Sequence, residues 1–197
     1  MLDVGAVFAN PRTGAMLEVV AWPQTARPGA LRIRRVLRPG MGFRVPHMHL
    51  YMDEIYDVEY GIADFRIGHR RGRLSQGQHF RVPRFEVHVG PLNRSTGDLV
   101  FLHTFEAART GPIVRYVETL ARFISEGRDD HGDLPPLVAA AVFAGKDQQT
   151  FLPGLSLGLQ RRVVFPMART IEEWRMERRA ARAEADEAHA DDAWDDW

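Results

Sequence analysis

Residues 42–61 read Gly42-Phe-Arg-Val-Pro-His47-Met-His49-Leu-Tyr-Met-Asp-Glu54-Ile-Tyr-Asp-Val-Glu-Tyr-Gly61. Side chains two apart on a strand point to the same face, so His47 and His49 face one side together. Glu54 lies five residues on, past a bend, and returns to that side on the next strand. A second stretch, residues 77–93, reads Gly77-Gln-His-Phe-Arg-Val-Pro83-Arg-Phe85-Glu-Val-His88-Val-Gly-Pro-Leu-Asn93. It offers His88 as a fourth ligand from a distant strand. Three imidazoles and one carboxylate suit a divalent transition metal, and they contain the two-histidine, one-carboxylate set that non-haem iron uses with open positions. If His47 and His49 merely lined a core, Glu54 and His88 would be coincidence.

Around these two stretches the chain reads as short strands broken by Gly and Pro. Alternation from Leu31 to Leu37 ends at Pro39-Gly40, and Glu54–Tyr60 ends at Gly61. Further strands are expected over 62–67, 79–82, 85–89 and 99–105, with 68–77 as a Gly/Arg/Ser turn region. Short strands at regular spacing with turn signals indicate a β-sandwich or barrel. Near Thr110 the pattern changes. Ile113, Tyr116, Val117, Leu120, Phe123 and Ile124 form a helical stripe, with Pro112 in the first turn and Gly127 past the end. Helices are expected over 134–144 and 155–165. A fourth is expected to about Ala188, with Thr170 as N-cap and Glu173 completing a capping box. The chain thus divides into a strand-rich part, 1–109, a helical extension, 110–188, that packs on it or on a dimer partner, and an acidic tail, 189–197.

The two stretches resemble the motifs of the cupin family. Its first motif is G, five residues, H-x-H, three or four residues, E, six residues, G. Its second is G, five residues, P-x-G, two residues, H, three residues, N. His47, His49, Glu54 and Gly61 match the first, with the leading glycine one residue off, at Gly42 or Gly40. Gly77, Pro83 and His88 match the second, with Asn93 one residue late. Phe85 stands where the family has a turn glycine. Glycine accepts positive φ and phenylalanine resists it, so the hairpin entering the His88 strand is expected to be reshaped. The resemblance covers roughly residues 30–108 and implies a mainly-β fold, a cupin-type jelly-roll β-barrel followed by a C-terminal α-helical region. It implies one divalent transition metal ion on His47, His49, Glu54 and His88: iron first, with manganese, nickel, cobalt, copper and zinc also accepted. In this family such a metal either activates dioxygen or acts as a Lewis acid on a carbonyl. The expected function is therefore a metal-dependent enzyme acting on a small organic molecule, a dioxygenase ahead of an isomerase or cyclase. A barrel that binds a small molecule without turning it over, or a structural metal site, are the other readings.

Among the remaining residues, Glu54 offers a base if it leaves the metal. Tyr56 shares its strand parity and is a candidate to line the pocket. His103, between Phe101 and Phe105, is a candidate acid, base or partner of the ligands. Arg44 and Arg81 are candidates for holding an anion, whereas His69 and His79 are expected in solvent and Trp22 in packing.

The 197 residues are 45% hydrophobic and 26% charged, the balance of a globular chain with room for one domain and an appendage. There is no cysteine, which excludes disulfides, thiolate metal sites and thiol nucleophiles. No apolar run reaches the ~18 residues of a membrane helix, and Met1–Asn10 lacks an export signal, so a cytoplasmic location is expected. Lys plus Arg equals Asp plus Glu at 26 each, but the charges are segregated. Glu184, Asp186, Glu187, Asp191, Asp192, Asp195 and Asp196 close the chain with no Lys or Arg among them, leaving a net basic body. No nucleic-acid motif accompanies the scattered arginines, so nucleic acid is not expected as a partner. A homodimer is, because two-fold oligomers are common.

Overall fold

Alternating burial along the chain builds the barrel. In the computed structural model, which describes residues 2–22, 30–107, 110–143 and 150–192, ten strands precede the first helix. They are β1 (Val7–Ala9), β2 (Met16–Ala21), β3 (Leu31–Leu37), β4 (Met48–His49) and β5 (Met52–Tyr60). Then come β6 (Ile62–Ile67), β7 (Arg70–Ser75), β8 (His79–Val82), β9 (His88–Leu92) and β10 (Leu99–Ala107). In β3, Leu31, Ile33, Arg35 and Leu37 are buried. In β5, Met52, Glu54, Tyr56 and Val58 are buried, so the carboxylate of Glu54 shares the inward face with core side chains.

Every pairing is antiparallel. One sheet runs β1-β2-β3-β10-β5-β8 and a second runs β7-β6-β9. Isolated bridges, Gly42 to Leu92 and His47 to His88, lay residues 42–47 along the free side of β9. The order β3-β10-β5-β8 facing 42–47, β9, β6 and β7 is that of a jelly roll with two Greek keys. Gly42 is required where these segments meet. Its φ is +132°, and a Cβ there would lie 2.2 Å from the Pro91 carbonyl oxygen.

Three strand expectations change. β1 and β2 were not anticipated. The expected turn region 68–77 contains β7, whose Arg-rich sequence masks an edge strand that buries only Leu74. Gly72 leaves room there for the Phe65 ring, which a Cβ would meet at 2.3 Å. The strand expected over 85–89 begins at His88 instead.

The first expected helix is present as α1 (Gly111–Ser125), with Pro112 in its first turn and Gly127 at φ +65° beyond its end. Its apolar stripe packs in one cluster with Leu17, Val19, Leu31, Ile33 and Phe105 of the barrel. The second is α2 (Pro136–Phe143). A short strand, β11 (Thr150–Phe151), follows and pairs with β4. The third and fourth expected helices form one continuous run. α3 (Leu157–Leu159) starts at the N-cap Ser156, passes through five residues of π-helix, Gln160–Val164, and continues as α4 (Phe165–Asp192). Thr170 is therefore not an N-cap. The helix arrives already wound, so the Thr170 hydroxyl donates back to the Pro166 carbonyl at 3.1 Å, as threonine does inside helices. Glu173 meets Arg169 rather than a cap N–H. The helix includes 189–192 of the segment expected as a tail. Residues 193–197 and the 108–109 boundary lie outside the described residues. No described helix is long and apolar enough to cross a membrane. Trp22 packs against the same cluster as α1.

Candidate metal centre

The jelly roll brings the four expected ligands together. His47 and His49 flank Met48 at the start of β4, Glu54 comes from β5, and His88 opens β9 opposite His47. One ligand atom from each lies within 4.8 Å of all the others. Donors each about 2 Å from one ion are at most about 4 Å apart, so an ion would draw this group inward by under about 1 Å.

Each imidazole is oriented by a contact on its far nitrogen. His47 Nδ1 lies 2.8 Å from the Val45 carbonyl oxygen and His88 Nδ1 lies 3.1 Å from that of Glu86. His49 Nδ1 lies 2.9 Å from the Thr150 hydroxyl on β11. With Nδ1 engaged, Nε2 faces the centre, the arrangement seen in metal-bound histidines. The buried Nε2 atoms of His49 and His88 have no hydrogen-bond partner. They approach Glu54 Oε2 at 3.3 and 2.9 Å without hydrogen-bond alignment. Buried nitrogens without partners are costly, and a divalent cation among them would satisfy both. The donor set therefore fits a transition metal.

Electrostatics differ among the ligands: at His88 burial lowers the pKa but Glu54 raises it overall, so a metal there would have to displace a proton. Burial pushes the His47 pKa down to about 3, helped by His88 and His49, so His47 is neutral, as a ligand must be. Burial works to raise the Glu54 pKa, but His49 and His103 outweigh it and hold Glu54 well below its ordinary value of 4.5. Glu54 is thus a buried carboxylate that stays ionised.

Two further residues grip Glu54. The Tyr56 hydroxyl donates to Oε2 at 3.0 Å, and His103 Nε2 lies 3.1 Å from Oε1. Tyr56 and His103 stack at 4.3 Å between ring centroids. Tyr56 belongs to the barrel core and is not among the residues lining the cavity. His103 does line it, and its buried Nδ1 has no partner. Burial lowers the His103 pKa.

The hairpin before His88 is not reshaped. Phe85 itself takes the positive φ, +69°, that the glycine would have supplied. The residue is 62% exposed, and its N–H donates to the His49 carbonyl at 2.7 Å. The turn is therefore tied to a ligand strand, and register is kept at the cost of local strain.

The centre opens into a cavity of about 140 Å³. The barrel supplies His47, His49, Glu54, His103 and Phe105, and the helical extension closes the other side with Ile113, Tyr116, Leu134, Phe143 and Phe151. Arg44 and Arg81 do not line it. Arg81 pairs outside the barrel with Asp53 and Glu106, and Arg44 donates to the Gly40 carbonyl. His69 and His79 are exposed. Reading the sequence missed Thr150, which no motif marks, and Tyr116, which was read only as part of an apolar stripe. It also missed Asp133, which resembles any acid in a Gly/Pro-rich turn.

No family model and no curated protein matches the chain. Solved structures do. A conserved double-stranded β-helix protein from Klebsiella pneumoniae is 19% identical, with 53% of this chain and 87% of that one covered and a TM-score of 0.43. KdgF from Halomonas is 22% identical, with 52% and 86% covered and a TM-score of 0.43. A predicted oxalate decarboxylase from Thermotoga maritima is 22% identical, with 52% and 90% covered and a TM-score of 0.44. Strand order and ligand placement, seen in the chain itself, establish the architecture. The fold is that of a cupin. The cupin barrel places His47, His49, Glu54 and His88 on its inner face, and the helices beyond residue 110 cover its mouth.

Proposed function

We propose that the protein is a metal-dependent enzyme acting on a small organic molecule, with oxygenation as its reaction. The observation that carries this reading is the pair of unpartnered Nε2 atoms on His49 and His88 beside Glu54, in a cluster whose His47, His49 and Glu54 line a largely apolar cavity. A structural metal site would be closed by its ligands, whereas this one borders a chamber. When bound, the metal would supply substrate binding and either dioxygen activation or Lewis-acid polarisation. Iron is the first choice, because the set contains the two-histidine, one-carboxylate group of non-haem iron oxygenases. The apolar lining favours dioxygen, itself an apolar molecule, and excludes competing water.

The chain's own residues hold this chemistry in place. Val45, Glu86 and Thr150 fix the three imidazole orientations, and Tyr56 and His103 fix Glu54. His103 faces the cavity next to a carboxylate, so it can hold or pass a proton there. The test is oxygen uptake by the iron-loaded protein over a panel of small ring-containing alcohols and ketones. Substrate-dependent uptake that His49→Ala and Glu54→Gln abolish is expected. Equal turnover without oxygen would replace oxygenation by Lewis-acid isomerisation or cyclisation. Ligand binding with no product in either gas would make the barrel a binding module.

A further inference from the structure

We propose that Asp133 and Tyr116 form a second polar pole of the cavity, which binds a hydrogen-bond donor of a small, otherwise apolar substrate whose other end faces the metal centre. This rests on the cavity being the substrate chamber and adds the substrate's chemical class.

Both residues line the cavity from the helical extension, Tyr116 on α1 and Asp133 in the loop before α2. The Tyr116 hydroxyl donates to Asp133 Oδ1 at 2.6 Å, and the Leu134 N–H donates to the same oxygen at 2.7 Å. Asp133 is thereby fixed in orientation through one oxygen. Among the described residues nothing donates to Oδ2.

Arg35, whose charge favours the Asp133 carboxylate, makes no direct ion pair with it. Arg35 is fully buried on β3, donates to the Gly132 carbonyl and lies 5.3 Å from the Phe43 ring centroid. Its Nε and Nη1 have no partner. It forms no salt bridge with Asp133, yet its charge opposes the rise in the Asp133 pKa. Arg35 therefore acts on Asp133 through its charge alone, and Asp133 lines an apolar chamber. Asp133 is only partly buried, so its free oxygen can meet a donor, and a charge-assisted hydrogen bond from a bound molecule would be favourable there. Burial raises the Asp133 pKa to about 6, against Arg35, Tyr116 and the Leu134 N–H, with Glu54 adding to the rise. The group is therefore mainly ionised at neutral pH and ready to accept.

Size and lining define the rest of the ligand. The cavity of about 140 Å³ is close to the ~150 Å³ apolar cavity that accepts a benzene ring. Ile113, Phe143 and Phe151 offer no polar atoms to a ring seated between the poles. The expected substrate is ring-sized, with a hydroxyl or protonated amine at one end and metal-binding oxygen at the other.

The experiment compares benzyl alcohol with toluene, which differ by one hydroxyl, on the full chain, metal-stripped and metal-loaded. Dissociation constants are read by ligand-observed NMR. Transfer from water favours toluene, so an apolar cavity without the pole binds toluene more tightly. The pole predicts the reverse order in the wild type, with benzyl alcohol about 10-fold tighter, or about 1.4 kcal/mol. The preference should persist after metal removal and revert to toluene in Asp133→Ala. Toluene binding as tightly as benzyl alcohol in the wild type overturns the pole without recourse to any variant. A preference that vanishes on metal removal assigns the hydroxyl to the metal end and also overturns it. Absence of binding by either probe removes the chamber and the pole with it. A preference in a protein that never takes up metal leaves the pole standing and removes the metal reading.

Discussion

Phe85 shows how a single residue can oppose its own turn and still keep it. The left-handed conformation costs a non-glycine residue about 1–2 kcal/mol, and Phe85 gains little in return because its ring is largely exposed. Phe85→Gly should therefore raise stability by about 1 kcal/mol, after the extra unfolded-state entropy of glycine is subtracted. Phe85→Val should lower it, since a β-branched residue resists positive φ most. Urea denaturation of both variants checks the pair. Asp133 makes a second prediction at this scale. Its carboxyl is pushed up from 3.8 to about 6 in the folded chain, so the native state binds its proton more tightly than the unfolded state. Between about pH 4 and 6 unfolding releases that proton, and stability falls as pH rises through the window. The loss is on the order of 3 kcal/mol at ~1.4 kcal/mol per pH unit. Asp133→Asn should remove this part of the pH dependence, so the variant gains on the wild type between pH 4.5 and 7 in denaturant titrations. A constant difference across that range would contradict it.

Among the elements, β4 and β11 matter most for the site. They pair at Thr150 with His49 and at Phe151 with Met48, so a strand from beyond α2 supports a ligand strand of the barrel. Thr150 Oγ1 orients His49, and a partner of this kind is typically worth 10–100-fold in metal affinity. Thr150→Val should weaken metal binding by about that factor while far-ultraviolet circular dichroism stays unchanged. An affinity within twofold of the wild type would show that the hydroxyl does not position His49. His47 and His49 were legible because the period of a strand is two, whereas Glu54 and His88 were legible through the spacing of the two motifs. His47 and His49 had to share a face, and Glu54 fell on the alternating inward row of β5. β7 was not legible, because an edge strand buries too little to show alternation. β11 was not legible either, since two residues carry no period. The join of α3 to α4 escaped because Thr170 and Glu173 form a cap pattern that only the wound helix upstream overrides.

In the whole molecule the division of labour follows the change of pattern near residue 110. The jelly roll supplies the four candidate metal ligands, and the helical extension supplies most of the apolar wall together with Tyr116 and Asp133. Such a chamber depends on long-range contacts that no local stretch announces, which is why the ligands could be read from the sequence and the opposite wall could not. Binding of a metal to the native state alone stabilises it by mass action, so metal saturation should raise Tm in the wild type and leave Glu54→Gln unmoved. The measurement that tests the central claim most directly is elemental analysis of the protein purified without added metal or chelator, alongside His47→Ala, Glu54→Gln and His88→Ala. The account predicts about one equivalent of a transition metal per chain, lost in the variants while the fold is kept. A wild type that carries no metal and takes up none on reconstitution would contradict it.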